Sequence, residues 1–480
     1  MSKENSPSEG RRGFLKFAVT AIVAGVVAGV GGYFGGVAAA PPPKTITEKV
    51  TTTLAAETVT KTVAPPPVTI TKTVTVTPAV PVGKPIVLGA PLSTAFLYGW
   101  DAEKNLKMAV EEINAAGGVM VGGERRPFKL EVMDTRDLEP GVPVAEALVV
   151  VEKLITERGA DILIGGPVRS EAALATMELD WKYKKVHMYT TGTLTPKLHL
   201  TIAKNYDKYK YIFRISSEAI TLSKETIDIL GSLREKYGFN RVYIMVQDVA
   251  HARAIGGLVK KKLGEQGGWE VWGPDIYPTG ATDYSISLLK AKDVGTQILF
   301  IWMDHPETSI LIKQWRDLKI PALPIAGICA FLEQPGSWEA TNGYIEYTTS
   351  CPCNTGNAYS NYPPAMEYFR KHVDRWGIEP EGYGAVSSYT APFVLKDAIE
   401  FAGTLDPDTL IKALEATDFM GPYGRIRFDP KSHQVIPSYN PDEGAVTCWF
   451  QWLDGKRVQF WPPTVALTDI KLPPWLKPAK

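Results

Sequence analysis

The sequence predicts an α/β protein made of two doubly wound parallel-sheet lobes. Three observations lead there. The chain has 480 residues, more than one hydrophobic core organises. From Ile86 onward, short apolar runs alternate with longer stretches of helical spacing, the β-α-β-α order of a parallel sheet covered on both faces. The same rhythm restarts after Ser217, so two such sheets are expected.

Taken in order, residues 86–90 read as a strand. Residues 101–116 then place Leu106, Ala109, Val110 and Ile113 on one helical face and stop at Gly117-Gly118. A strand at 129–133 precedes a helix at 143–158, with Val150, Leu154 and Ile155 on one side and Gly159 as its stop. Strands at 161–165 and 186–190 flank a helix at 172–184. The second lobe reads as helices at 221–237, 252–264, 283–291 and 307–318 among strands at 241–246, 269–277 and 297–302. Two runs, 447–451 and 457–460, form a hairpin turning at Asp454-Gly455. Residues 466–480 are rich in Pro and Lys and are expected to be loose. Two doubly wound lobes in one chain can turn their strand C-termini towards a shared crevice, where free N–H groups and helix N-termini receive a ligand.

The first 83 residues stand apart. Arg11-Arg12 precedes a Gly- and Ala-rich apolar stretch over residues 18–40, the pattern of a twin-arginine export signal. The stretch is long enough to span a bilayer. Pro41 follows Ala38-Ala39-Ala40 and hinders cleavage there, so residues 1–40 are expected to remain as a membrane anchor. Residues 41–83 are mainly Thr, Val, Pro, Ala and Lys. They are expected to be an extended, mobile stalk, with proline clusters that argue against a packed strand.

Composition narrows the function. Lys plus Arg equal Asp plus Glu, 52 each, which gives no support for nucleic acid as a partner. The four cysteines, Cys329, Cys351, Cys353 and Cys448, allow two disulfides in three pairings or free thiols. Cys351-Pro-Cys353 lacks the spacing and the second ligand pair of a zinc site. No phosphate-binding loop, zinc-protease motif or nucleophile elbow is present. The six histidines show no ligand spacing. No metal, cofactor or catalytic residue is expected, and the chain does not read as an enzyme.

Several segments then occur in a telling order. They are Pro91-Leu92-Ser93, Glu111-Glu112-Ile113-Asn114-Ala115-Ala116-Gly117-Gly118, Ile164-Gly165-Gly166-Pro167 and Phe213-Arg214. Next come Tyr277-Pro278-Thr279-Gly280-Ala281-Thr282-Asp283-Tyr284, Lys313-Gln314-Trp315-Arg316, Gly421-Pro422-Tyr423-Gly424 and Arg427-Phe428-Asp429. Across residues 85–465 the chain resembles the type I solute-binding proteins of branched-chain amino acid ABC transporters, the leucine/isoleucine/valine-binding type. The resemblance implies an interleaved topology: lobe 1 from 84–215 and 349–415, lobe 2 from 216–348 and 416–465, joined by a three-crossing hinge. It also implies a small amino-acid-like, carboxylate or amide ligand held between closing lobes, permease subunits as partners, and a place in the periplasm or on the outer face of the cell membrane. A ligand-sensing receptor or regulator of the same fold is the alternative.

The resemblance also assigns a site. Ser170, four residues after Gly166, corresponds to the serine that binds the ligand carboxylate; an N-cap serine would show the same spacing. Thr191, Gly192 and Thr193 correspond to the next carboxylate contacts. Ser93, Thr94 and Tyr98 rim the lobe 1 side, and Tyr98 also fits a core position. In lobe 2, His251 stands where an aromatic closing residue is expected, and Asp304 replaces a second tyrosine. The acidic partner of the ligand ammonium falls at Ile328, which carries no charge. Either Asp304 supplies the charge or the ligand lacks an α-ammonium, because an unpaired ammonium taken out of water costs several kcal/mol. Trp302 and Phe331 are expected as apolar walls, or as core.

Overall fold

The computed structural model describes residues 83–479 in full and, before them, the backbone of two strands, β1 (Lys44–Thr52) and β2 (Val68–Val76). These two pair antiparallel over nine positions, from Lys44↔Val76 to Thr52↔Val68. Paired strands thus stand where the proline clusters argued against a packed one. The alternating Thr and Val suit a pleated ladder, and the proline clusters fall outside both strands. The export and anchor segment expected at 1–40 lies outside the described residues. Among the described residues no helix is long and apolar enough to cross a membrane.

The first lobe opens with β3 (Ile86–Leu92) and passes a small hairpin of β4 (Val119–Val121) and β5 (Glu124–Arg126). It continues through β6 (Phe128–Asp134), β7 (Ile162–Gly165), β8 (His187–Tyr189) and β9 (Ile212–Arg214). Its five-stranded sheet is parallel, in the order β6-β3-β7-β8-β9. The second lobe follows with β10 (Arg241–Gln247), β11 (Glu270–Tyr277), β12 (Ile298–Trp302) and β13 (Leu323–Ala326), parallel in the order β11-β10-β12-β13. In both sheets the first strand of the lobe lies inside, flanked by the second and third. The chain therefore reverses its winding beside that strand, which is where an open α/β sheet leaves a crevice.

The crossover helices match the predicted ones within a few residues. Leu97–Ala115 starts four residues earlier than its apolar spacing suggests, and Ser285–Asp293 is shifted two residues later. The inner strands are nearly all buried because helices cover both faces, while the edge strands β6 and β11 are mostly half-buried.

Beyond β13 come β14 (Thr349–Ser350), the hairpin of β15 (Phe419–Gly421) and β16 (Gly424–Ile426), and β17 (Trp449–Leu453) with β18 (Lys456–Trp461). The β17–β18 hairpin closes at Leu453↔Lys456 as predicted, and β14 adds to it. Three chain segments link the lobes and bond to one another. Asn354 Nδ2 donates to Ser217 Oγ at 3.3 Å, Cys448 N donates to Cys353 O at 2.9 Å, and Thr355 Oγ1 donates to Thr447 O at 2.7 Å. The protein is thus two doubly wound parallel-sheet lobes on a three-crossing hinge.

Packing places the last return later than residue 416. Tyr423, Ile426, Phe428, Val435 and Ala445 join the first-lobe core, and the second-lobe core resumes at Cys448. The C-terminal stretch is docked rather than loose. Trp475 packs at a tilt against Trp315 with ring centroids 5.4 Å apart and donates to Ile320 O at 2.9 Å, and Ala479 N reaches Tyr237 O. All four cysteines are free and buried; burial pushes the Cys329 thiol up to about 12.

Candidate functional site

A cavity of about 670 Å³ lies between the two sheets. Its walls come from the segments just beyond the C-terminal ends of eight strands, β3, β6, β7 and β8 on one side and β10, β11, β12 and β13 on the other. Tyr383, which follows the helix Pro363–Trp376, contributes from the returning chain. Parallel strands end with their carbonyl edges outward, so these short loops and the helices after them converge on one space.

Seven of the expected residues line the cavity: Tyr98, Ser170, Gly192, Thr193, His251, Asp304 and Ile328. Four do not. Ser93 is buried, and its Oγ accepts from Leu138 N at 3.3 Å. Thr94 N donates to Asp134 Oδ1 at 3.1 Å. Thr191 turns inward, its Oγ1 bonding Tyr98 O at 3.0 Å and Tyr383 O at 2.8 Å. Trp302 is fully buried, and its ring lies flat against Gly327, where an added Cβ would come within 2.1 Å. Phe331 is packed in the second-lobe core.

The first-lobe floor is rigidly built. Gly192 has φ +63°, and a Cβ there would lie 2.3 Å from Val168 O, so only glycine fits the turn. Thr193 also has positive φ, at 53°. Its N donates to Val168 O at 2.7 Å and its Oγ1 to Pro167 O at 2.8 Å. The buried Arg214 clamps the same turn from behind, donating to Thr193 O and to Thr195 O, and its charge, after burial, holds His199 down to about 4. Tyr383 Oη donates to Gly192 O at 2.6 Å.

Ser170 is the first residue of the helix Ser170–Tyr183, after an extended Arg169 that makes no side-chain cap. It is therefore inside the helix rather than its cap. Its Oγ accepts only a long 3.4 Å contact from Thr195 N, leaving the hydroxyl available at a helix N-terminus that favours negative charge. Asp137 already holds part of that end: Oδ2 accepts from Arg169 N at 2.6 Å. Burial raises the Asp137 carboxyl above its usual range in spite of that bond.

On the second lobe, Asp304 Oδ2 lies 3.3 Å from His251 Nε2, an ion-pair distance without good hydrogen-bond alignment. Burial pushes the Asp304 carboxyl up, but His251 and His305 outweigh it and hold it below the usual range. Asp304 N donates to Gln247 Oε1 at 3.0 Å, which fixes the loop. Tyr98 is 4 % exposed, and its hydroxyl has no partner in the protein. An orphaned buried hydroxyl on a cavity wall is a place for a ligand to bond.

Sequence reasoning missed Asp137, Leu194, Gln247 and Tyr383 as cavity walls. The first three could have been found from their position just after, or at, a strand's end. Tyr383 arrives by the chain's return and carries no local signal.

A family model described as Periplasmic binding protein matches residues 89–440. The leucine-, isoleucine-, valine-, threonine- and alanine-binding protein of Pseudomonas aeruginosa is 24 % identical over 341 residues, covering 70 % of this chain and 82 % of that one. The branched-chain amino acid transporter substrate binding protein of Streptococcus pneumoniae, solved in complex with isoleucine, superimposes with a TM-score of 0.62 at 18 % identity, over 81 % of this chain and all of that one. A solute binding protein of an ABC transporter from Rhodopseudomonas palustris, solved with 3,4-dihydroxybenzoic acid, gives a TM-score of 0.61 at 17 % identity, over 78 % of this chain and 95 % of that one. With its match spanning both lobes, the chain belongs to the periplasmic binding protein family.

Proposed function

We propose that the chain is the extracytoplasmic solute-binding subunit of an ABC transporter. It holds a small amino-acid-like, carboxylate or amide solute between its lobes and hands it to permease subunits without altering it. The observation that carries this reading is the single cavity fed by the ends of eight strands from two hinged sheets. A ligand touching both walls favours the closed arrangement by the contacts it makes only there. The Ser170 helix N-terminus suits a carboxylate, and Asp304 suits a cation. The N-terminal segment is proposed to hold the protein at the membrane.

A thermal-shift screen of the purified protein against amino acids, amides and small carboxylates tests the reading. A solute at 100 times its Kd should add about 2.7 kcal/mol of stability. The absence of any shift across the classes, or turnover of a solute, would overturn it.

A further inference from the structure

The cavity lining is unbalanced in charge. Asp137, Glu139, Glu171, Asp248, Asp304 and Glu307 border it, against the guanidiniums of Arg169 and Arg253. Both arginines are already engaged, Arg169 with Glu171 at 3.3 Å and Arg253 with Asp248. Adding His251 and His305 as cations, and Arg136 from outside with its bond to Glu139, still leaves acids in excess. Low-dielectric walls focus such a field into the cleft.

The unpaired polar atoms in the same region point the same way. His305 is 3 % exposed and lines the cavity. Its Nδ1 lies 2.9 Å from Glu307 Oε2, and its Nε2 has no partner in the protein. The Tyr98 hydroxyl is likewise unpartnered. Burial, and after it the nearby acids Glu333 and Asp304, disfavours ionisation of that hydroxyl, so it stays a neutral O–H that can donate to or accept from a solute. The wall around Tyr98, Asp304 and His305 therefore offers a carboxylate and unpartnered polar atoms to a solute. A neutral apolar side chain placed there leaves them unpaired, at a cost. Among the described residues no three His, Cys, Asp or Glu side chains converge to hold a metal ion.

Resting on the solute-binding reading above, we infer that the solute is net cationic, with an ammonium or guanidinium group received between Tyr98 and Asp304. This sets the chain apart from the branched-chain specificity that its relatives' names describe.

Isothermal titration with near-isosteric pairs tests it: arginine against citrulline and lysine against norleucine, with agmatine and benzoate alongside. The wild type should bind the charged member of at least one pair 10-fold or more tighter. Asp304→Asn should cut that ratio to about threefold or less while leaving the melting temperature near wild type. Tyr98→Phe, which keeps the ring, should weaken the charged member more than the neutral one. Equal or tighter binding of citrulline and norleucine, or preference for benzoate, would overturn the cationic inference and leave the solute-binding reading standing. Silence from every compound, here and in the broader screen, would overturn both.

Discussion

Glu333 closes the short helix Ala330–Glu333 and is fully buried. Oε1 accepts from Cys329 N at 3.0 Å, while Oε2 has no partner. Burial pushes its carboxyl up to about 8 from 4.5, with Cys329 N, Ser350 and Arg457 opposing only in part. A raised folded-state value means that the native protein holds a proton that the unfolded chain has released. Stability from this group is therefore present below about 4.5 and is lost as pH rises towards about 8, then stays level. At about 1.4 kcal/mol per pH unit, the full difference is on the order of 5 kcal/mol. For a fold of this size that corresponds to roughly 1 °C of melting temperature per kcal/mol. Glu333→Gln keeps the acceptor for Cys329 N and removes the titration. Melting curves of wild type and variant should approach one another near pH 5 and separate by several degrees near pH 9, the variant being the more stable at the alkaline end. Glu225, raised to about 7 by burial, leaves a residual slope of the same sign in both proteins. Parallel curves over the whole range would refute the reasoning.

Gly192→Ala forces a side chain into a left-handed turn and against Val168 O; about 3 kcal/mol or more should be lost, with solute affinity falling in the same variant, checked by melting and titration. Ser170→Ala should weaken a carboxylate-bearing solute by about 2- to 12-fold and leave a solute without a carboxylate unaffected; unchanged affinity for both removes Ser170 from the site. Trp475→Ala removes the contact with Trp315 and the bond to Ile320 O, and should cost about 1–3 kcal/mol; an unchanged melting temperature would show that the C-terminal stretch adds nothing to the second lobe.

The regular elements were legible because strands buried on both faces leave continuous apolar runs such as residues 298–302, and helices leave a stripe such as Leu106, Ala109 and Ile113. The Thr- and Val-rich segment was misjudged because its prolines were weighed across the whole stretch, although the alternating residues lie clear of them. The resemblance placed Ser170, His251 and Asp304 just after parallel strands, and all three line the cavity, since position after a parallel strand fixes what reaches the crevice. It failed where a side chain's direction decides. Thr191 neighbours two cavity residues, yet its hydroxyl is taken by Tyr98 O and Tyr383 O. Trp302 ends a strand beside the site, but its ring fills the space that Gly327 leaves open. The late return to the second lobe was hidden because 416–445 makes its core contacts with residues far away in sequence.

The docked C-terminal stretch has a practical corollary. The first lobe opens at β3, and Ala479 lies against the helix Ala219–Tyr237 of the second. Fluorophores attached near residues 83 and 479 would ride on opposite jaws, and the energy transfer between them would read the gape of the clamp without touching its mouth.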